Sequence, residues 1–247
     1  MKLPSVVIGI PTYQGKAYCE DQFFDAVLAL EYPRTRTAVI VIDNTLDNGE
    51  YAKHLQAKYP EFKIVHQAAH DVVYKRLYDS HERIRIEFLK TGAKFLFHLE
   101  SDVIVPPDII QRLLRARKDA VSPIYNLSLG SNRHIVQRNR QWGMPFADKY
   151  SWGYTYGRLD QDFADGTVKK IQTNGLGCIL IHKGIMEHVP FRYRPNVDSA
   201  PDSAFTHDLL IKGIDNFCDT SVVVYHANGE DWGQDNTNLI EKYEGQL

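Results

Sequence analysis

Through the first half of the chain, short runs of β-branched and apolar residues alternate with helix-patterned stretches, and this alternation narrows the possible folds more than any other feature. Val6–Ile10, Ala38–Ile42 and Phe62–His66 read as strands. Strands that are apolar at successive positions are covered on both faces, and strands separated by a helix's worth of chain pair in parallel. Between the first two, Glu20–Leu30 sets Phe23, Phe24, Val27, Leu28 and Leu30 at the spacing of an amphipathic helix that ends near Pro33. Asp79–Lys90 predicts a second helix, with Ile84 and Phe88 one turn apart and a stop at Thr91-Gly92. Lys94–Leu99 then reads as a buried strand, and Pro106-Pro107 opens a helix over Asp108–Lys118 with Ile109/Leu113 and Ile110/Leu114 as its stripe. Ala120–Tyr125 is the next strand. Further on come strand Cys178–His182, helix Ser203–Lys212 ending at Gly213, and strand Ser221–Tyr225. The pattern is that of an α/β fold, a mostly parallel central sheet flanked by helices.

The 247 residues suit one domain, and 43% hydrophobic with 24% charged residues leaves no region polar enough for extended disorder. A net charge of −2, with Lys and Arg scattered among acids, argues against a nucleic-acid partner. Cys19, Cys178 and Cys218 are odd in number and lack zinc spacing, which fits a reducing compartment. Met1-Lys2-Leu3-Pro4 runs straight into the first strand, and no apolar stretch approaches the ~18 residues of a membrane span. The expectation is a soluble cytoplasmic protein, with peripheral membrane association left open. From about Leu127 to Thr167 neither period appears. Trp142, Tyr150, Trp152, Tyr154 and Tyr156 fall in this stretch, offering flat apolar faces to a ligand or packing a loop onto the core.

Three places carry groups fit for chemistry. In Phe95-Leu-Phe-His-Leu-Glu-Ser-Asp102 an apolar strand delivers Glu100 and Asp102, separated by Ser101, to its C-terminal end, where open α/β sheets bind ligands. Alternation puts both acids on one side, and paired carboxylates suit Mg²⁺ or Mn²⁺, although acid-x-acid also ends many strands in plain solvent. Asp202 opens a helix, as an N-cap or as a general base on an acceptor hydroxyl, and His226 follows a strand, as a surface histidine or a ligand for Mn²⁺. Asp43-Asn44 after the second strand and Pro11-Thr12-Tyr13 after the first stand where a nucleotide base and ribose would lie. Asp-Asn is equally ordinary turn chemistry.

In this order the pieces resemble family 2 glycosyltransferases of the GT-A fold, over roughly residues 5–126 and 168–228. The matching features are Ile10-Pro-Thr-Tyr13, the strand-ending Asp43, Leu99-Glu-Ser-Asp-Val-Ile-Val-Pro-Pro107, the turn Asn174-Gly-Leu-Gly-Cys-Ile-Leu-Ile181, and Asp202, Phe205, Gly213 and His226 at the spacings of the base-bearing segment. The resemblance implies a Rossmann-like nucleotide-diphospho-sugar transferase domain over 1–247, with a nucleotide-binding half at about 1–126 and an acceptor-binding half at about 127–247. It implies Mn²⁺ or Mg²⁺ on Glu100, Asp102 and His226. Pro11, Thr12, Tyr13, Asp43, Glu100 and Ser101 would hold the donor, and Gly175 and Gly177, with Trp142 and Trp152, the acceptor. Arg83 or Arg85 would reach the phosphates, and Asp202 would be the base. Glu100 replaces the commoner Asp, and Pro201 stands where many relatives carry Glu. Asp208 is the fallback base. Gln137-x-x-Arg140 is similar to a processive-synthase motif, but Gln141 follows the arginine and the segment precedes the base.

The implied activity is a metal-dependent, inverting, non-processive hexosyl transfer from a UDP-, GDP- or dTDP-sugar to a glycan, lipid-linked or protein acceptor. Rival readings are a sugar-1-phosphate nucleotidyltransferase, for which Gln14-Gly15-Lys16 is a thin phosphate loop, a catalytically silent nucleotide-sugar-binding protein, and a glycoside hydrolase using Asp102 and Asp202.

Overall fold

In the computed structural model the described residues are 3–67, 70, 72–125, 136–137, 165–171, 173–193 and 201–227. The strands are β1 (Val6–Thr12), β2 (Thr37–Asp43), β3 (Lys63–His66), β4 (Phe95–Leu99), β5 (Val103–Ile104), β6 (Ala120–Ile124), β7 (Val136–Gln137), β8 (Val168–Ile171), β9 (Thr173–Asn174), β10 (Cys178–His182), β11 (Asn216–Val223) and β12 (Tyr225–His226). The helices are α1 (Glu20–Leu28), α2 (Glu50–Lys58), α3 (Val73–Leu89), α4 (Ile109–Arg115), α5 (Lys183–His188) and α6 (Pro201–Ile211), and a 3₁₀ turn covers Gln14–Cys19.

An eight-stranded sheet in the order β3-β2-β1-β4-β10-β6-β11-β8 forms the centre. The pairs β1–β2, β1–β4, β2–β3 and β6–β11 are parallel, whereas β10 is antiparallel to both neighbours and β8 to β11. All strands of the sheet except β10 and β8 therefore point the same way, and their C-terminal ends share one edge. This mostly parallel α/β architecture agrees with the sequence pattern.

Alternation splits the core into two layers. Val6, Ile8, Ile10, Phe97 and Leu99 pack with Phe23, Phe24 and Val27 of α1, Leu55 of α2 and Ile109, Ile110 and Leu113 of α4. The opposite face carries Val7, Ile40, Ile42, Leu96, Ile179 and Ile181 against Ile84 and Phe88 of α3, Met186 of α5 and Phe205 and Leu209 of α6. Gly9 lets α3 approach β1, since a Cβ there would come within 2.9 Å of Leu96 and closer still to Ile84.

Boundaries shift in places. The α3 helix starts at Val73, six residues before the expected Asp79, because its first turns bury only Tyr78 while Val73 and Tyr74 stay exposed. The final strand runs as β11 from Asn216, and Tyr225–His226 leave the sheet to pair with Val103–Ile104 as a separate two-stranded ribbon. The aromatic-rich stretch containing Trp142 and Trp152 lies outside the described residues.

Glu87 of α3 is 3% exposed and gathers Lys63 at 2.6 Å, Lys90 at 2.8 Å and Arg83 at 3.0 Å. The ammonium groups of Lys63 and then Lys90 hold its carboxyl down at about 2. A carboxyl lowered in the folded state makes the unfolded chain bind more protons, so its stabilisation is complete above the unfolded value and is lost as pH falls through that value toward about 2. Solvent screening at the half-exposed cations limits this to about 1–2 kcal/mol. Denaturation midpoints of wild type and Glu87→Gln should differ by that amount near neutrality and converge between about pH 5 and pH 2. A gap of constant size across that range would exclude the ion pairs as its source.

Candidate active site

The shared edge of the sheet gathers the ends of β1, β2, β4 and β6, the start of β10 and the β12 ribbon. Register aligns Thr12 with Asp43 and Asp43 with His66, and Asn44 N–H donates to Thr12 O at 3.0 Å. On β4 the chain leaves the sheet at Glu100, whose N–H donates to Gly177 O at 2.8 Å. Register of β12 with β5 sets His226 opposite Val103, and Ala227 N–H donates to Asp102 O at 2.7 Å. This is why a histidine more than a hundred residues away stands beside Asp102.

Asp102 is 1% exposed. Its Oδ2 accepts from the Lys16 ammonium and lies 3.3 Å from His226 Nε2, while Oδ1 is buried with no hydrogen-bond partner among the described residues. Burial works against its charge, but His226 and Lys16 outweigh it and keep the carboxyl below the ordinary range. Glu100 behaves oppositely. Burial first, and then the Asp102 charge, push its carboxyl up, with Asp202 adding and His226 and Lys16 opposing, so a proton in this pair resides on Glu100.

Those couplings place Asp202 within electrostatic reach of Glu100. It occupies the first turn of α6, after Pro201 at the first helical position, and its backbone O accepts from Thr206 Oγ1 at 2.9 Å. The expected cap is thus a residue inside the helix, where the N-terminal dipole favours its negative charge. Asp208 sits six residues on, about 240° around the helix.

Gly177 has a spatial reason to be glycine: a Cβ would lie 2.8 Å from Tyr125 Oη, which accepts from Gly177 N–H at 2.9 Å. Tyr125 is 1% exposed, its ring meets His226 edge-on at 5.8 Å, and burial, followed by Glu100 and Asp202, keeps its phenol protonated. Behind this turn His98 Nδ1 lies 2.7 Å from Leu176 O, which assigns its proton to that nitrogen and makes Nε2 the acceptor for His81 at 2.7 Å. Burial holds both rings neutral, with His98 pushed down to about 4.

A 3₁₀ turn closes over the acids. Cys19 Sγ donates to Ser101 O at 3.2 Å, Tyr18 Oη to Ala227 O at 3.0 Å, and Lys16 reaches Asp102. Burial lowers the Lys16 ammonium's pKa, yet the Asp102 carboxylate more than compensates and raises it above the ordinary lysine value.

Glu100, Ser101, Asp102, Asp202, Gly177 and His226 are thus brought together, with Pro11 and Thr12 on the same edge. Tyr13 is 43% exposed beside them, and Gly175 lies in the buried turn before Gly177. Asp43 is at the expected edge, but its carboxylate already holds Thr45 N–H at 3.0 Å, Thr45 Oγ1 at 2.5 Å and His66 Nδ1 at 3.0 Å. Arg83 is not at this edge. It pairs with Glu87, which Lys63 at the start of β3 also binds, toward the opposite end of the strands. Arg85 likewise is engaged, by Glu82 and Met186 O. Tyr125 was not among the expected site residues, and Lys16 entered the sequence reading only as the end of the thin Gln14-Gly15-Lys16 phosphate loop; its place beside Asp102 follows once β1 and β4 are neighbours.

Two acidic groups compete as cation sites, and among the described residues only Asp43, Asp47 and His66 already bring three ligand atoms within 4.8 Å of one another. However, Asp47 accepts Gly49 N–H at 2.9 Å and Tyr51 N–H at 2.6 Å, and Asp43 is occupied as above, so this group is already satisfied as a turn and helix cap. The unpartnered buried oxygen belongs to Asp102. With Glu100 and His226 it offers the oxygen and imidazole donors that suit Mn²⁺ or Mg²⁺.

No family model matches the chain, and no curated protein matches it in sequence. Among solved structures it is similar to the mannosyltransferase PcManGT from Pyrobaculum calidifontis in complex with GDP-Man and Mn²⁺, at a TM-score of 0.59 and 15% identity over 94% of this chain. The match spans 59% of that protein's length. The two share a fold.

Proposed function

We propose that this chain is a divalent-metal-dependent glycosyltransferase of the GT-A type, similar to family 2, that moves a sugar from a nucleotide diphosphate donor to an acceptor hydroxyl with inversion and without processivity. The observation that carries the reading is Asp102, whose buried, unpartnered oxygen lies at the carboxyl edge of the sheet beside Glu100 and His226, with Asp202 within electrostatic reach. The solved neighbour with this fold is described with GDP-Man and Mn²⁺, which supports a nucleotide-sugar donor and favours Mn²⁺.

Asp102, Glu100 and His226 would hold the cation, which when bound neutralises charge on the departing diphosphate. Burial and the adjacent Asp102 carboxylate raise the Glu100 pKa, and a cation held between the two acids would offset both and favour its ionised form. Thr12, Tyr13 and Ser101 contact the nucleoside side of the donor, and Asp43 fixes the Thr45 turn beneath it. Asp202 accepts the proton of the attacking hydroxyl, and the turn of Gly175 and Gly177, held against Tyr125, borders the acceptor side. The acceptor is a glycan, lipid-linked or protein hydroxyl. Among the described residues no helix is long and apolar enough to cross a membrane, and a cytoplasmic site of action is part of the proposal.

The test is release of nucleoside diphosphate from a panel of GDP-, UDP- and dTDP-sugars with Mn²⁺, Mg²⁺ or chelator, following the anomeric proton of the freed sugar. Metal-dependent consumption of one donor with a β sugar appearing first from an α-linked donor supports the reading. Retention of configuration removes the inverting mechanism, and pyrophosphate release from a nucleoside triphosphate and a sugar phosphate would mark a nucleotidyltransferase instead.

A further inference from the structure

Lys16 stands where an incoming cation would have to bind. Its ammonium pairs with Asp102 Oδ2, the oxygen that His226 also approaches, and its side chain remains 25% exposed to solvent. An ammonium and a divalent ion cannot share one carboxylate oxygen without strong repulsion at such short range. Either the lysine is a permanent counter-ion that keeps divalent ions out, or it leaves when one arrives.

Two observations favour departure. The carboxylate is only half satisfied: Oδ1 is buried and unpartnered, whereas a lasting buried ion pair needs its remaining lone pairs filled. The turn does not depend on Lys16 for its position. Cys19 and Tyr18 anchor it to Ser101 O and Ala227 O, Gln14 N–H donates to Thr45 Oγ1 at 2.9 Å, and Lys16 N–H donates to Tyr13 O at 2.9 Å. The side chain can swing while its backbone stays. The outer end of the exposed Tyr13 ring stands where a Cβ on Gly15 would collide with it, so this glycine permits the tight turn from which Lys16 reaches the acids.

We propose that Lys16 is an exchangeable cation. In the empty protein it occupies the cation position on Asp102, it yields that position to the divalent ion, and its ammonium then meets the donor's diphosphate as a point charge. The proposal rests on the metal-dependent reading above and adds a residue to it. In effect the site keeps its buried carboxylate neutralised at every stage, and couples metal entry to readiness for an anionic donor.

The wild-type protein supplies the first test, through amine-reactive labelling of Lys16 read by mass spectrometry. Labelling should rise at least about fivefold when Mn²⁺ saturates the site, and fall again when GDP or UDP is added with Mn²⁺. In the second test, Lys16→Met should bind Mn²⁺ alone at least about tenfold more tightly than wild type, measured by the electron paramagnetic resonance of free Mn²⁺. Flat labelling under saturating Mn²⁺ overturns the exchange even if the variant folds poorly, and so does Mn²⁺ binding in folded Lys16→Met that is no tighter than wild type. Labelling that stays high with nucleotide present overturns the diphosphate as its destination. If wild type and Lys16→Met both fail to bind Mn²⁺, the metal-dependent reading itself falls and takes the exchange with it.

Discussion

Asp102→Ala should abolish divalent-metal binding and cut sugar transfer by roughly 10³-fold or more, the largest single effect expected in this protein. The residue is 1% exposed and joins three elements: β4 delivers it, His226 approaches it from the β12 ribbon, and Lys16 neutralises it from the turn after β1. Removing the carboxylate deletes a buried oxygen, Oδ1, that has no hydrogen-bond partner among the described residues, and leaves Lys16 and His226 facing each other without an acid between them. Lys16 is partly exposed and can turn to water, so the fold should survive, because the Ala227 N–H bond to residue 102 uses the backbone carbonyl. Calorimetric Mn²⁺ titration of the folded variant checks the first half of the expectation and turnover the second. Mn²⁺ binding that persists at wild-type strength would move the metal elsewhere, with Asp43, Asp47 and His66 the first place to look.

Asp202→Asn separates chemistry from binding. The amide keeps the shape of the carboxylate and cannot take a proton, so kcat should fall by about 10²–10⁴-fold, the usual contribution of a positioned base, while donor and metal affinity stay within about threefold of wild type. Helix α6 should be little affected. Its first turn loses one favourable charge on the dipole, worth about 0.3–1 kcal/mol, and keeps Pro201 and the Thr206 bond to the residue 202 carbonyl. A parallel Asp208→Asn substitution should leave kcat near wild type. Loss of turnover in the Asp208 variant with retention in the Asp202 variant would reverse the assignment and make the more distant carboxylate the base.

Much of the fold was legible because hydrophobic runs announce buried strands. Cys178–His182 appears with the expected bounds, and β1, β2 and β4 differ only at their ends. What escaped notice was hidden by weak or charged patterning. Helix α2 buries only Tyr51, Ala52 and Leu55 among polar neighbours, and the edge strand Val168-Lys-Lys-Ile171 carries the charge that protects an exposed edge but conceals a strand. The reversed direction of β10 left no trace, since a strand covered on both faces looks the same whichever way it runs.

For the site, Glu100, Asp102 and His226 stand after apolar runs in the sequence and Asp202 at a helix start, and the structure places the four near one another at the carboxyl edge of the sheet, while their roles there remain those proposed above. Arg83 lies away from the carboxyl edge because it pairs with Glu87 one turn on, and Glu87 faces Lys63 at the start of β3, a tertiary contact that helix periodicity does not reveal. Lys16 and Tyr125 owe their roles to tertiary neighbours alone. A lysine in a turn has no period, and a tyrosine ending a strand looks like core until Gly177 N–H is found on its hydroxyl.

If this edge binds a nucleoside diphosphate through a divalent ion held by Asp102, a calorimetric titration of wild-type protein with GDP, UDP and dTDP, each with Mn²⁺ and with chelator, should show one nucleotide binding with Mn²⁺ at least about tenfold more tightly than without it. Failure of all three to bind in the presence of Mn²⁺ would rule out a nucleotide-sugar site here.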